Sequence, residues 1–116
     1  MINMFVKFKG WECIIEGGYY TKPKTRKALI LHDLNGSPGD TFVACATVNL
    51  PNIDCKENEV FIKDYSENKG IEEALIKAKV IHSAPVSTVS TGYTTVNKHV
   101  LTSTAVKKLF TNKKTK

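Results

Sequence analysis

EVFIKDYSENKGIEEALIKAKVI, residues 59–81, is the stretch that decides the fold. Its first part reads as extended chain, with Val60, Ile62 and Asp64 on one side and Phe61 and Lys63 on the other. Residues 65–70, YSENKG, break the alternation, and Ile71, Ala74, Leu75 and Ala78 then recur at helical spacing. A strand, a polar turn and a short amphipathic helix follow one another. The helix is expected over residues 70–79, with Asn68 as its N-cap. Glu72 and Glu73 lie near its positive end and Lys77 and Lys79 near its negative end. Glu73 and Lys77 form a favourable i, i+4 pair.

Working outward, the flanks read as β-structure. Residues 4–8 and 11–15 are strand material parted at Lys9-Gly10, expected as one strand with a glycine bulge. Residues 27–34, KALILHDL, form a further strand, and the turn-rich NGSPGD, 35–40, reads as a hairpin connection. TFVACATVNL, 41–50, is the longest β-like run and is expected as a central strand that Pro51 ends. Its alternation puts Phe42, Ala44, Ala46 and Val48 on one face. Residues 86–96 are rich in Val, Thr and Tyr, with Gly92 in the middle as a turn or bulge. Thr102 or Ser103 then caps a last helix reaching Phe110. The expected class is α+β: a mainly antiparallel sheet of five or six strands, one central amphipathic helix and a short C-terminal helix. Residues 1–111 make one domain, and 112–116 a basic, mobile tail.

Composition bounds the function. A chain of 116 residues with 41% hydrophobic and 24% charged side chains can bury a core without metals or disulfides. No apolar run approaches the roughly 20 residues that cross a bilayer. The N-terminal residues lack the unbroken apolar segment of a secretory signal, so a cytoplasmic, membrane-free protein is expected. Cys13, Cys45 and Cys55 form no CxxC pair and are expected as idle thiols. His32, His82 and His99 lack metal-site spacing. No metal and no cofactor is expected.

The net charge of +6 is unevenly placed. Lys107, Lys108, Lys113, Lys114 and Lys116 crowd the C-terminus; 17 basic residues less these five leave 12 against 11 acids. A second basic cluster is Lys22, Lys24, Arg26 and Lys27. These two clusters offer phosphate neutralisation and a nucleic-acid-binding alternative, carried by Lys22, Lys24, Arg26, Lys27, Lys113, Lys114 and Lys116. The opposing reading is a solvated, solubilising terminus. Arg26 is the single arginine, which disfavours base-edge recognition.

For catalysis, folding would have to gather groups such as Cys45, His32 and Asp33, since no nucleophile elbow, phosphate loop or zinc motif is written in the chain. Glu59 and Lys63 share a strand face but make only a fragment of nuclease spacing. The expectation is that there is no enzyme and no catalytic residue. The polar block Asp64, Tyr65, Ser66, Glu67 and Asn68 has two readings. It presents a hydrogen-bonding acidic patch to a basic partner, or it caps and braces the helix that follows.

ATVNLPN (46–52), residues 59–81 and STGYTTV (90–96) together resemble a family of small phage, prophage and plasmid proteins with an ATVNLP strand and an IKDYSEN-G block. The resemblance covers about half the chain. It implies an accessory protein of a mobile element, acting in the host cytoplasm as a counter-defence inhibitor that occludes or sequesters a host protein or small ligand. It brings no catalytic residues. Exposed β-edges add the expectation of a homo-oligomer.

Overall fold

A computed structural model describes residues 3–21, 26–92 and 94–110. Strands β1 (Phe5–Phe8), β2 (Trp11–Tyr19), β3 (Lys27–Ser37) and β4 (Asp40–Cys45) form an antiparallel meander in chain order, sheet A. Alternation drives it: Val6, Phe8, Cys13, Ile15, Leu29, Leu31 and Ala44 point into the core. Leu29 and Leu31 are wholly buried, each worth about 1.5–3 kcal/mol of transfer free energy. Lys9 and Gly10, at φ 52° and 87°, make the hairpin turn that sets Phe8 opposite Trp11. Positive φ at both central positions matches the twist of the flanking strands. The expected single bulged strand is therefore two strands. Pro38 and Gly39 join β3 to β4; proline followed by a glycine at φ 84° suits a type II turn.

The run 41–50 does not continue as one central strand. β4 stops at Cys45, and the next residues become a seam between two sheets. Ala46 N–H donates to the Leu29 carbonyl at 2.8 Å, while the Ala46 carbonyl accepts from Lys63 N–H at 2.8 Å. Thr47 bridges to Ile62, and its hydroxyl takes the Leu29 N–H at 3.3 Å. A side chain thus occupies a donor that the ladder would otherwise use. Register shifts around His32 also break the expected face: Phe42 is 65% exposed while Ala44 is buried.

Beyond the seam, β5 (Glu59–Ile62), β6 (Ser87–Ser90) and β7 (Thr95–Val100) form sheet B in the order β5-β7-β6, antiparallel throughout. The architecture is α+β in character, but with seven strands in two sheets among the described residues instead of five or six in one. Two short helices complete it, α1 (Ile71–Lys77) and α2 (Ser103–Leu109). Ile71 and Leu75 of α1 and Ala105 of α2 join Val60, Ile62, Val80, Ile81 and Leu101 in one core shared by both sheets. α1 ends at Lys79 (φ 62°), with Val80 N–H bonded to the Leu75 carbonyl and Lys79 N–H to that of Ile76, a Schellman arrangement without glycine. Thr102 caps α2 by accepting from Ala105 N–H at 3.1 Å, as the sequence reading expects. α2 lies so close to β2 that a Cβ on Gly17 would sit 2.6 Å from the Leu109 carbonyl oxygen.

Candidate interaction surface

The polar block leading into α1 is bound mostly inward. Asp64 accepts from Gly70 N–H at 3.2 Å and Glu72 N–H at 2.7 Å, so it satisfies the first free donors of the helix. Asn68 is not the N-cap. Gly70 holds that position at φ 98°, where a residue with a Cβ is strained. Asn68 instead is 1% exposed and donates to the Cys45 carbonyl at 2.7 Å, tying the helix entrance to the end of β4. Tyr65 lies 5.8 Å below the Lys63 ammonium, and Lys63 pairs with exposed Glu67 at 3.0 Å. Backbone hydrogen bonding, then Lys63, holds the Glu67 carboxyl below its usual range. Ser66 and Glu67 alone of the five are exposed.

Below the block lies a buried polar network. His99 is wholly buried; its Nδ1 faces the His82 carbonyl oxygen at 2.8 Å and therefore carries a proton. Its Nε2 meets the Glu72 carboxylate, which also accepts from Asn97 Nδ2 at 3.0 Å. This contact fastens α1 to β7.

Of the basic residues, Arg26 donates to the carbonyls of Leu50 and Ile53, with its guanidinium 5.9 Å from the Phe61 ring. Lys27 is 6% exposed, donates to the Glu57 carbonyl and lies between the rings of Tyr19 and Phe110. Both brace loops from within. Lys22, Lys24, Lys113, Lys114 and Lys116 lie outside the described residues.

The groups weighed for catalysis each bond to other partners. Asp33 sits on the core-side register of β3 beside Cys13 and accepts from Asn35 N–H. Cys45 donates to the Thr47 carbonyl at 3.4 Å. Glu59 is buried and pairs with Lys98 at 3.5 Å, away from Lys63. His32 bonds Thr41 Oγ1 through Nδ1 at 3.0 Å and Glu16 Oε1 through Nε2 at 2.7 Å. This hydroxyl–imidazole–carboxylate chain has the connectivity of a nucleophile and its base. Glu16 is 63% exposed, however, so water competes for the contact. A neutral imidazole with its proton on Nε2 satisfies both neighbours. Among the described residues no three Cys, His, Asp or Glu side chains gather as a metal site, and no helix is long and apolar enough to cross a membrane.

The outer face of sheet A stands out. Register sets Phe5 opposite Ile14, Ile14 opposite His32 and His32 opposite Phe42, one row across four strands. Phe5 is 54% exposed, and Leu34, at the far end of β3, is 46% exposed. Phe5, Lys7, Glu12 and Leu34 line an open groove on this face. The row escapes sequence reading because it needs the register of three hairpin pairings. The alternation of β1, Phe5 and Lys7 against Val6 and Phe8, is the one local signal of it. No family model, curated protein or solved structure matches the chain.

Proposed function

We propose that this protein works by binding, as an accessory factor of a phage or other mobile element that docks on a host protein through the outer face of sheet A. Counter-defence inhibition by occlusion is the concrete form of that role. One observation carries the reading. An antiparallel sheet with one wet side is ordinarily polar there, yet this one presents Phe5, Ile14, Leu34 and Phe42, two of them more than half exposed. Exposed apolar groups gathered on one surface mark contact sites. Lys7, Glu12 and Glu16 border the row and supply a charged rim of both signs. The face is broad and open, which favours a protein over an enclosed small ligand.

The test is capture from nuclease-treated bacterial host extract with the wild type, Phe5→Lys and Phe42→Lys, followed by reconstitution with the purified partner. A stoichiometric complex that protects β1–β4 from hydrogen exchange is expected. Each substitution should weaken it about thirtyfold or more, as for a hot-spot side chain, without lowering the unfolding midpoint. A partner bound equally by both variants overturns the reading. Retention that disappears with salt, or that occurs only in extract left untreated with nuclease, points to the basic clusters and nucleic acid instead.

A further inference from the structure

The two sheets end on β1 and β4 and on β5 and β6. Residues 46–48 pair with β5, and β4 is bulged against β3 with Asn68 on its Cys45 carbonyl, which leaves β1 and β6 to compare. Open edges present unpaired N–H and C=O groups, and proteins blunt them with lysine, proline or a bulge. β1 is blunted: Lys7 stands in its middle, Lys9 in its turn, and α1 packs against it. β6 is not. Its sequence is STVS, three of its four residues are exposed, and no Asp, Glu, Lys or Arg occurs from Ser83 through Asn97.

Register shows which groups are free. Thr91 N–H bonds to the Thr94 carbonyl at 2.9 Å, and Val89 pairs with Val96 and Ser87 with Lys98. Odd-numbered residues therefore exchange hydrogen bonds with β7. By the alternation of an antiparallel ladder, Thr88 and Ser90 aim their N–H and C=O groups at the open side. Beside them runs a groove of about 250 Å³ lined by Leu50, Pro51, Ile53, Val89, Ser90 and Thr91.

We infer that β6 pairs antiparallel with β6 of a second copy of this chain, closing a two-fold dimer. Homotypic pairing sets a strand against itself, so any charge on it meets its own sign; Lys7 brings that penalty to β1, and β6 escapes it. The register that matches free donors to free acceptors puts Thr88 opposite Ser90 of the second copy and Val89 opposite Val89. Four N–H···O bonds form, and the two apolar grooves meet across the axis. Sheet B then continues as six strands.

Four-residue strands make a small contact, well under the roughly 1,000 Å² of a tight interface, so a Kd on the order of 100 μM is expected. Sedimentation equilibrium from about 5 μM to about 1 mM should show the mass rising from 12.9 kDa toward twice that value. Ser90→Pro removes only an edge-facing N–H, and Ser90→Lys brings two ammonium groups onto the seam. Ser90 is exposed, so both variants should keep the wild-type unfolding midpoint. Each should raise Kd at least about tenfold. Phe42→Lys, on the other sheet, should leave the dimer intact, so this test stands or falls apart from the docking face. A monomer at about 1 mM, a dimer untouched by both Ser90 variants, or one abolished by Phe42→Lys overturns the inference.

Discussion

Replacing Glu72 by alanine tests whether the Glu72–His99 contact holds α1 on sheet B. The His99 imidazole is wholly buried and has already committed Nδ1 to the His82 carbonyl oxygen. Without the carboxylate, Nε2 and the Asn97 amide each lose their acceptor. Breaking a buried pair by removing one partner costs about 3–5 kcal/mol. The Glu72 side chain is 23% exposed, so water recovers part of that and the lower end, about 3 kcal/mol, applies. Unfolding entropy near 2.1 cal/mol/K per residue, over 116 residues, converts this to a fall in Tm of about 12 °C. That is a large share of the roughly 5–15 kcal/mol available to a domain. Urea and thermal unfolding followed by circular dichroism should be run on Glu72→Ala, His99→Leu and the double variant. The double variant should cost less than the two singles together by at least about 1.5 kcal/mol, since neither half of the Nε2–carboxylate contact is then left facing an absent partner. Additivity to within about 0.5 kcal/mol, or a Glu72→Ala cost below about 1 kcal/mol, would refute the reasoning.

Two further outcomes follow from the same bookkeeping. Burial pushes the Tyr20 hydroxyl from 10.0 up to about 12, opposed only in part by its 2.8 Å bond to Thr47. The folded chain then holds this proton more tightly than the unfolded one. The stability it contributes is intact below about pH 10 and is lost as pH rises through about 12. Absorbance at 295 nm should show a late tyrosine titration step, and Tyr20→Phe should remove that step and flatten the alkaline loss of stability. Asn68→Ala strands the Cys45 carbonyl and should cost about 2 kcal/mol, whereas Glu67→Ala, at the surface, should leave the unfolding midpoint unchanged. Equal costs in chemical denaturation would mean that Asn68 does not brace the helix entrance.

Much of the local architecture is legible because local chemistry determines it. Ile71, Ala74 and Leu75 specify the inner side of α1 by spacing alone, and Thr102 announces α2. The Glu73–Lys77 pair forms as spacing predicts, at 3.9 Å, but both side chains are more than three-quarters exposed, so it adds little. Asn68 shows where local reading stops. It has the right type and place for an N-cap, yet Asp64 already satisfies the first helical donors, so its amide is free to reach a carbonyl 23 residues away. The basic cluster shows the same limit: Arg26 and Lys27 read as charge for neutralising phosphates, and the fold turns both into braces for distant carbonyls.

The sequence by itself determined the α+β character, the two helices and the turn at Pro38-Gly39, because these depend on residues within about one turn or one strand of each other. Tertiary structure alone decided that residues 46–48 part the strands into two sheets, that His99 meets Glu72 across 27 positions, and that Phe5, Ile14, His32 and Phe42 share one row. Those outcomes rest on register. A slip of one residue turns every side chain of a strand to the opposite face, and only burial of the whole core selects among the alternatives.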